Sequence, residues 1–257
     1  MEYIKFEDFS AYYKQGREYA AAVDRVNFSI QSGELFVVVG VSGSGKTTLL
    51  KSILGLMEYM EGDLLIGGIS ISQFDVKQAN LSYVPQEVTL YPHLTVYENI
   101  AFPLRLMHTP QDEVDRRVKE AAQALEIQWL LTRKPRQLSG GQHQRIAIAR
   151  ALIKKPQMIL FDEPFSNLEP VLRGELRRLV KNIHQTYGTT MLFVTHDLPE
   201  AFFLADRVLV LEEGQVADLG TPEELRNAYH SELLKVYFQQ QDNELRGYAP
   251  PKLFQKA

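Results

Sequence analysis

The 257-residue sequence has no cysteine and a single tryptophan. The missing thiol excludes cysteine nucleophiles, cysteine-ligated zinc and disulfide stapling, and it fits a reducing compartment. Long apolar runs are also missing. The longest, Leu35 to Val41 and Ile146 to Ile153, are short, and Arg150 breaks the second; a spanning helix needs ~20 mostly apolar residues. Neither charge dominates, with 28 Lys and Arg against 32 Asp and Glu for a net charge of −4. That balance argues against wholesale nucleic-acid binding, and no basic, aromatic-interleaved patch stands out. The start, Met1-Glu2-Tyr3-Ile4-Lys5, shows no basic segment followed by an apolar core, so no signal peptide is expected. What is present is an ordinary globular composition, 45% hydrophobic and 23% charged. It excludes wholesale disorder and collagen-like repetition, and the length suits one large domain or two small ones.

The pattern along the chain is α/β. Residues 3–9 and 26–39 read as strands, and Leu35-Phe36-Val37-Val38-Val39 is an unbroken apolar run suited to a strand buried on both faces. A glycine-rich loop, 40–45, leads into a helix expected over 46–54. Further apolar runs at 157–161, 190–194 and 207–211 alternate with amphipathic stretches, as in a sheet with helices on its faces. From Val96 to Leu131 the pattern is helical, with Val114, Val118, Ala121, Ala122 and Leu125 at three- and four-residue spacing. This predicts a helical insert. Thr221-Pro222-Glu223-Glu224 is a helix start with the cap residue before proline. Beyond Gln239 the chain turns polar, with Pro250-Pro251, and is expected to fray.

Gly40-Val41-Ser42-Gly43-Ser44-Gly45-Lys46-Thr47 has the G-x-x-x-x-G-K-[ST] spacing of a polyphosphate loop. Glycine lets the main chain approach phosphate oxygens closely, and the following helix N-terminus favours anions. Lys46 is then expected on the β- and γ-phosphates and the Thr47 hydroxyl on Mg²⁺. Met158-Ile159-Leu160-Phe161-Asp162-Glu163 is an apolar strand ending in two acids. Asp162 suits a second Mg²⁺ anchor and Glu163 a general base for water. Taken alone, such a pair reads better as an acidic turn after a core strand; the loop at 40–47 tips the reading toward chemistry.

Leu138-Ser139-Gly140-Gly141-Gln142 points to a family. With the phosphate loop and the Asp162-Glu163 strand end, it resembles the ATP-binding subunits of ABC transporters over roughly residues 3 to 230. The resemblance implies an L-shaped α/β fold: a RecA-like P-loop NTPase core with an antiparallel β subdomain and a helical insert. Residues 1–230 would form the ATPase domain, with the helical subdomain at about 92–152, and 231–257 a short C-terminal extension. ATP and Mg²⁺ are the implied ligands, with Gly40, Ser42, Gly43, Ser44, Gly45, Lys46, Thr47 and Thr48 around the phosphates. By the same resemblance Gln86, in Val84-Pro85-Gln86, touches Mg²⁺ or the attacking water. His196, in Val194-Thr195-His196-Asp197, contacts the γ-phosphate. Tyr13 stacks on adenine, with Tyr12 its close rival. Ser139, Gly141 and Gln142 bind the γ-phosphate held by the opposite subunit.

The implied partners are a second copy or a similar ATPase, transmembrane permease subunits, and a solute-binding protein acting indirectly, with the chain peripheral on the cytoplasmic face of the membrane. The stretch Leu90 to Leu104 and Arg133-Lys134-Pro135-Arg136-Gln137 are similar to importer ATPases of the sugar, glycerol-phosphate and polyamine type. Those relatives carry a further β-rich domain, and the 27 residues after 230 are too few for one; this leaves open an exporter or lipid-transport ATPase. A soluble ABC-type ATPase acting on nucleic acid is the other alternative, opposed by the single phosphate loop and single signature. A nucleotide-binding module without hydrolysis would be expected to lack Glu163 or His196. Ser166-Asn167-Leu168-Glu169 departs from the family, which mostly has Asp at the last position.

Overall fold

The computed structural model describes residues 1–16, 18–73 and 76–247. Two sheets organise it. The chain begins with β1 (Glu2–Gln15) and β2 (Glu18–Gln31), a long antiparallel pair, before β3 (Leu35–Val39) and α1 (Lys46–Ile53). Next come β4 (Tyr59–Ile66), β5 (Ile69–Ser70) and β6 (Leu81–Val84). Three helices follow: α2 (Val96–Leu106), α3 (Gln111–Ala124) and α4 (Gly140–Leu152). The remainder alternates through β7 (Met158–Asp162), α5 (Pro170–Tyr187), β8 (Thr190–Thr195), α6 (Leu198–Leu204), β9 (Arg207–Glu212) and β10 (Gln215–Gly220), ending in α7 (Pro222–Asn227) and α8 (Glu232–Gly247).

The central sheet has the order β10-β9-β3-β8-β7-β6, parallel except for β10. All residues of β3, β7 and β8 are buried, which is why each carries an apolar run without alternation, Leu35–Val39, Met158–Phe161 and Met191–Val194. One face packs on α2–α6. The other packs on α1 and on the second sheet, which is antiparallel with the order β2-β1-β4-β5. Between them Phe6, Phe28 and Phe36 form a stacked aromatic column, with centroid spacings of 4.5 and 5.6 Å. The arrangement is the expected α/β fold with an antiparallel layer and a run of helices between β6 and β7. No helix among the described residues is long and apolar enough to cross a membrane.

Several local expectations are corrected. Residues 26–39 are two strands in different sheets, divided by a turn in which Gly33 adopts φ 77°. The first strand runs past Phe9 to Gln15, and β4 to β6 and β10 carry no apolar run long enough to announce them. Helix α8 runs past Gln239 to Gly247, its first half packed on an aromatic cluster of Phe202, Tyr229, Tyr237 and Phe238. Pro250-Pro251 lies outside the described residues. Thr221 caps α7 as expected, accepting from the Glu224 N–H at 3.2 Å, while Glu224 Oε2 accepts from the Thr221 N–H at 2.8 Å.

One buried acid makes stability pH-dependent. Glu200, in α6, is 3% exposed and its Oε1 has no hydrogen-bond partner. Burial raises its pKa from 4.5 to about 7, opposed by a hydrogen bond with Thr195. A carboxyl whose folded pKa is raised stabilises the fold least when ionised, so stability falls as pH rises from about 4.5 through 7. Glu200→Gln is expected to gain up to about 3 kcal/mol at pH 8 and close to nothing at pH 4.5, read as urea midpoints at the two pH values. Equal midpoint shifts at both would contradict this.

Candidate nucleotide site

Because β3, β7 and β8 are parallel neighbours, their carboxyl ends share one edge, where open α/β sheets bind ligands. The loop after β3 turns there into α1. Two of its glycines are dictated by space. A Cβ at Gly40 would lie 2.3 Å from the Leu211 carbonyl oxygen, and one at Gly45, where φ is 104°, 2.4 Å from that of Ala22. Ser42 and Gly43 are exposed at the crest, whereas Ser44 is buried with its Oγ unpartnered.

Lys46 is 4% exposed, and its ammonium donates to the carbonyls of Gly40 and Val41, each at 2.9 Å. It lies 3.6 Å from Glu163 Oε1. Burial pulls the Lys46 pKa down; Glu163 and Asp162 push it back. Thr47 Oγ1 donates to Asp162 Oδ1 at 3.0 Å, and the Tyr83 hydroxyl donates to Oδ2 at 3.1 Å. Burial raises the Asp162 carboxyl above its usual range, and these two hydrogen bonds oppose the rise. A hydroxyl and a carboxylate meeting here are hard oxygen donors of the kind Mg²⁺ takes. Among the described residues no group of three or more His, Cys, Asp or Glu could hold a metal.

Glu163 follows Asp162 with φ 43°, in the left-handed region that non-glycine residues enter at a cost. Its N–H donates to the Val194 carbonyl at 2.9 Å, tying the β7 end to β8. That turn directs its carboxylate between two partners: Lys46 on one oxygen and His196 Nδ1 on the other, at 2.8 Å. His196 is itself half exposed. Gln86, exposed just after β6, donates through Nε2 to Ser166 Oγ at 3.2 Å, and Ser166 Oγ donates to the Glu163 carbonyl at 3.0 Å. Gln86 therefore reaches the segment after the acid.

Tyr13 and Tyr12 separate cleanly. The Tyr13 hydroxyl accepts from Thr48 Oγ1 at 3.4 Å, and Lys51 Nζ sits 5.6 Å from its ring centroid, so Tyr13 lies beside α1. Tyr12 instead donates to Glu61 Oε2 at 2.8 Å and packs edge-on against Tyr59. Residues 139–142 open α4: Gln142 Oε1 accepts from the Ser139 N–H at 3.0 Å, and Gly141 is pressed against Leu172, whose Cδ2 would lie 2.4 Å from an added Cβ. No hydrogen bond among the described residues joins 139–142 to the loop 40–47. Glu169, the departure from the family pattern, is exposed and makes no side-chain cap to α5.

The structure thus brings Lys46, Thr47, Asp162, Glu163, His196 and Gln86 to one sheet edge and Tyr13 and Thr48 to the flank of α1. Two residues were not read from the sequence. Tyr83 holds Asp162, and its phenol pKa is raised by burial first and by Asp162 second. Arg173 bonds to residues on both sides of the site. Alternation two residues before Pro85 is the only hint of Tyr83; nothing local marks Arg173.

The ABC transporter family profile matches residues 23–166. The chain is 46% identical over 204 residues to an sn-glycerol-3-phosphate import ATP-binding protein of Agrobacterium fabrum, covering 79% of this chain and 58% of that protein. It is 45% identical over 205 residues to the one of Rhizobium meliloti, covering 80% and 59%. The chain spans less than two thirds of the length of these relatives. Among solved structures it is similar to a dimeric ATP-binding cassette in a post-hydrolysis state bound to ADP and Pi, at 33% identity and TM-score 0.75, covering 85% of this chain and 98% of that one. A cassette of a Clostridium perfringens ABC transporter complex aligns at TM-score 0.81 and 26% identity, covering 96% and 97%. The profile match spans the phosphate loop, the signature segment and the Asp162-Glu163 strand end, and the chain belongs to the ABC transporter family of ATP-binding cassettes.

Proposed function

We propose that the chain is the ATP-binding and hydrolysing motor of an ABC importer. It pairs head-to-tail with a second copy or a similar ATPase and acts through permease subunits, peripheral on the cytoplasmic face of the membrane. The observation that carries this reading is the Glu163 carboxylate held between Lys46 and His196 beside the Thr47–Asp162 pair.

ATP lies with its phosphates on residues 40–48 and its adenine on Tyr13. Lys46 exchanges its carbonyl partners for β- and γ-phosphate oxygens. Thr47, Asp162 and Gln86 would hold Mg²⁺, which would supply positive charge to neutralise the phosphate oxygens. Glu163 accepts a proton from water as the water oxygen attacks the γ-phosphorus and the bond to the β-phosphate oxygen breaks, releasing ADP. His196 holds the second carboxylate oxygen of Glu163 and reaches the γ-phosphate. Ser139, Gly141 and Gln142 present the α4 N-terminus to the γ-phosphate bound by the neighbouring copy. ATP binding therefore favours the closed pair, and phosphate release removes those contacts.

Residues 1–230 form the ATPase domain, 92–152 its helical subdomain and 231–257 an extension; the subdomain and Gln86 carry the motion to the permease, with a solute-binding protein acting indirectly on the far side. Import is favoured by the names of the sn-glycerol-3-phosphate relatives. The test is to tag the chain in its native cell and purify it from detergent-solubilised membranes. A polytopic membrane protein is expected to accompany it; purification of the chain alone would count against the transporter reading.

A further inference from the structure

Arg173 lies in the first turn of α5, and its guanidinium bridges two segments that each begin at a site residue. Nη1 donates to Asp197 Oδ2 at 3.1 Å, and Nη2 donates to the carbonyls of Ser166 and Leu168 at 3.3 and 3.4 Å. Asp197 directly follows His196. Ser166 lies three residues after Glu163 and is bonded back to its carbonyl through both N–H and Oγ, at 3.3 and 3.0 Å. With the His196–Glu163 contact, these bonds close a ring: Glu163, Ser166, Arg173, Asp197, His196 and back.

The ring matters because His196 has little else to hold it. Its ring is 51% exposed, and Glu163 is the one partner recorded for it among the described residues. Its direction is therefore set by the backbone at 195–197. That backbone is fixed by Asp197, whose N–H donates to Thr195 Oγ1 at 3.0 Å and whose Oδ1 accepts from the Glu200 N–H at 2.7 Å, capping α6. The other carboxylate oxygen of Asp197 is free for Arg173 alone. A fork of several donors on a planar group can fix two segments at once, which a point charge cannot.

We propose that Arg173 is a positioning residue for hydrolysis: it clamps the segment after Glu163 to the segment after His196 and so holds the two side chains in register. This rests on reading Glu163 and His196 as the hydrolytic pair. The Arg173–Asp197 pair is only 23% exposed at each side chain, so removing one partner costs some stability, but small displacements of a catalytic pair cost far more in rate. The effect therefore falls on turnover and spares ATP binding.

The test measures steady-state ATPase kinetics and thermal midpoints for Arg173→Met, Arg173→Lys, Asp197→Asn and the double variant Arg173→Met/Asp197→Asn. Asp197→Asn keeps an oxygen for the α6 cap but puts an amide nitrogen where Arg173 needs an acceptor, removing both charge and hydrogen bond, so it carries the test even if Arg173→Met does not fold. Turnover is expected to drop about 10- to 100-fold in Arg173→Met and Asp197→Asn, with KM for ATP within about threefold and the thermal midpoint only a few degrees below wild type. Arg173→Lys recovers part of the rate, and the double variant is no slower than the slower single one. Wild-type turnover in the single variants, a raised KM with unchanged turnover, or additive losses overturns the inference. Wild-type protein without ATPase activity, or Glu163→Gln protein turning over at the wild-type rate, overturns the hydrolytic reading and this inference with it. An active wild type and a dead Glu163→Gln beside an unaffected Arg173→Met overturn this inference alone.

Discussion

Glu163→Gln is expected to reduce ATP turnover by about 10² to 10⁴-fold while ATP still binds. The amide matches the carboxylate in shape, so the φ 43° turn and the N–H bond to Val194 remain. What is lost is the oxygen that takes the proton from water. Binding is expected to hold or tighten, because the substitution removes a negative charge 3.6 Å from Lys46, where the charge competes with phosphate. Single-turnover phosphate release alongside nucleotide retention checks both halves. Phosphate release at the wild-type rate would reject Glu163 as the base; loss of retention would place its main role in binding.

Lys46→Ala is expected to act on the other half of the cycle, weakening ATP affinity by about 100-fold. An ammonium bonded to phosphate oxygens contributes about 3 kcal/mol through its charge-assisted hydrogen bonds, and each 1.4 kcal/mol is tenfold in affinity. The fold is expected to tolerate the change. Lys46 is buried at a desolvation cost that already lowers its pKa, and relief of that cost offsets the hydrogen bonds its two loop carbonyls lose. Calorimetric titration with ATP and Mg²⁺, beside a thermal midpoint, separates the outcomes. Unchanged affinity would remove Lys46 from the phosphate site.

The contrast between these two residues reflects how differently the sequence exposes structure. The loop 40–47 is legible because the chemistry restricts composition: Gly40 and Gly45 face backbone carbonyls with no room for a Cβ. Strands β3, β7 and β8 are legible because burial on both faces removes polar residues from them. The antiparallel sheet is only half legible. Asp8 and Arg25, at φ 46° and 44°, interrupt the β1–β2 register and with it the alternation that marks a strand. In β4, Gly62 sits 2.1 Å, measured from an added Cβ, from the Asp8 carbonyl oxygen, so a bulge and charged neighbours mask the strand.

The site divides in the same way. Lys46, Asp162, Glu163 and His196 are marked by motifs. Tyr83 and Arg173 are marked only by tertiary neighbours: the phenol meets Asp162 because β6 pairs with β7, and the guanidinium meets Asp197 because α5 packs beside α6. No spacing rule along the chain encodes either contact. The choice between Tyr12 and Tyr13 likewise follows from which face of β1 looks at α1.

The central claim is that each hydrolytic site joins residues 40–48, 162–163 and 196 of one copy to residues 139–142 of another. Mixing two inactive proteins tests it most directly. Lys46→Ala spoils the phosphate loop, and Ser139→Arg spoils the signature. In a mixed pair, the Ser139→Arg chain's loop faces the Lys46→Ala chain's intact signature, leaving one complete site. An equimolar mixture is expected to regain about a quarter of wild-type ATPase activity when exchange is free and sites act independently. A mixture as inactive as its components, with mixed pairs shown to form, would contradict a shared site.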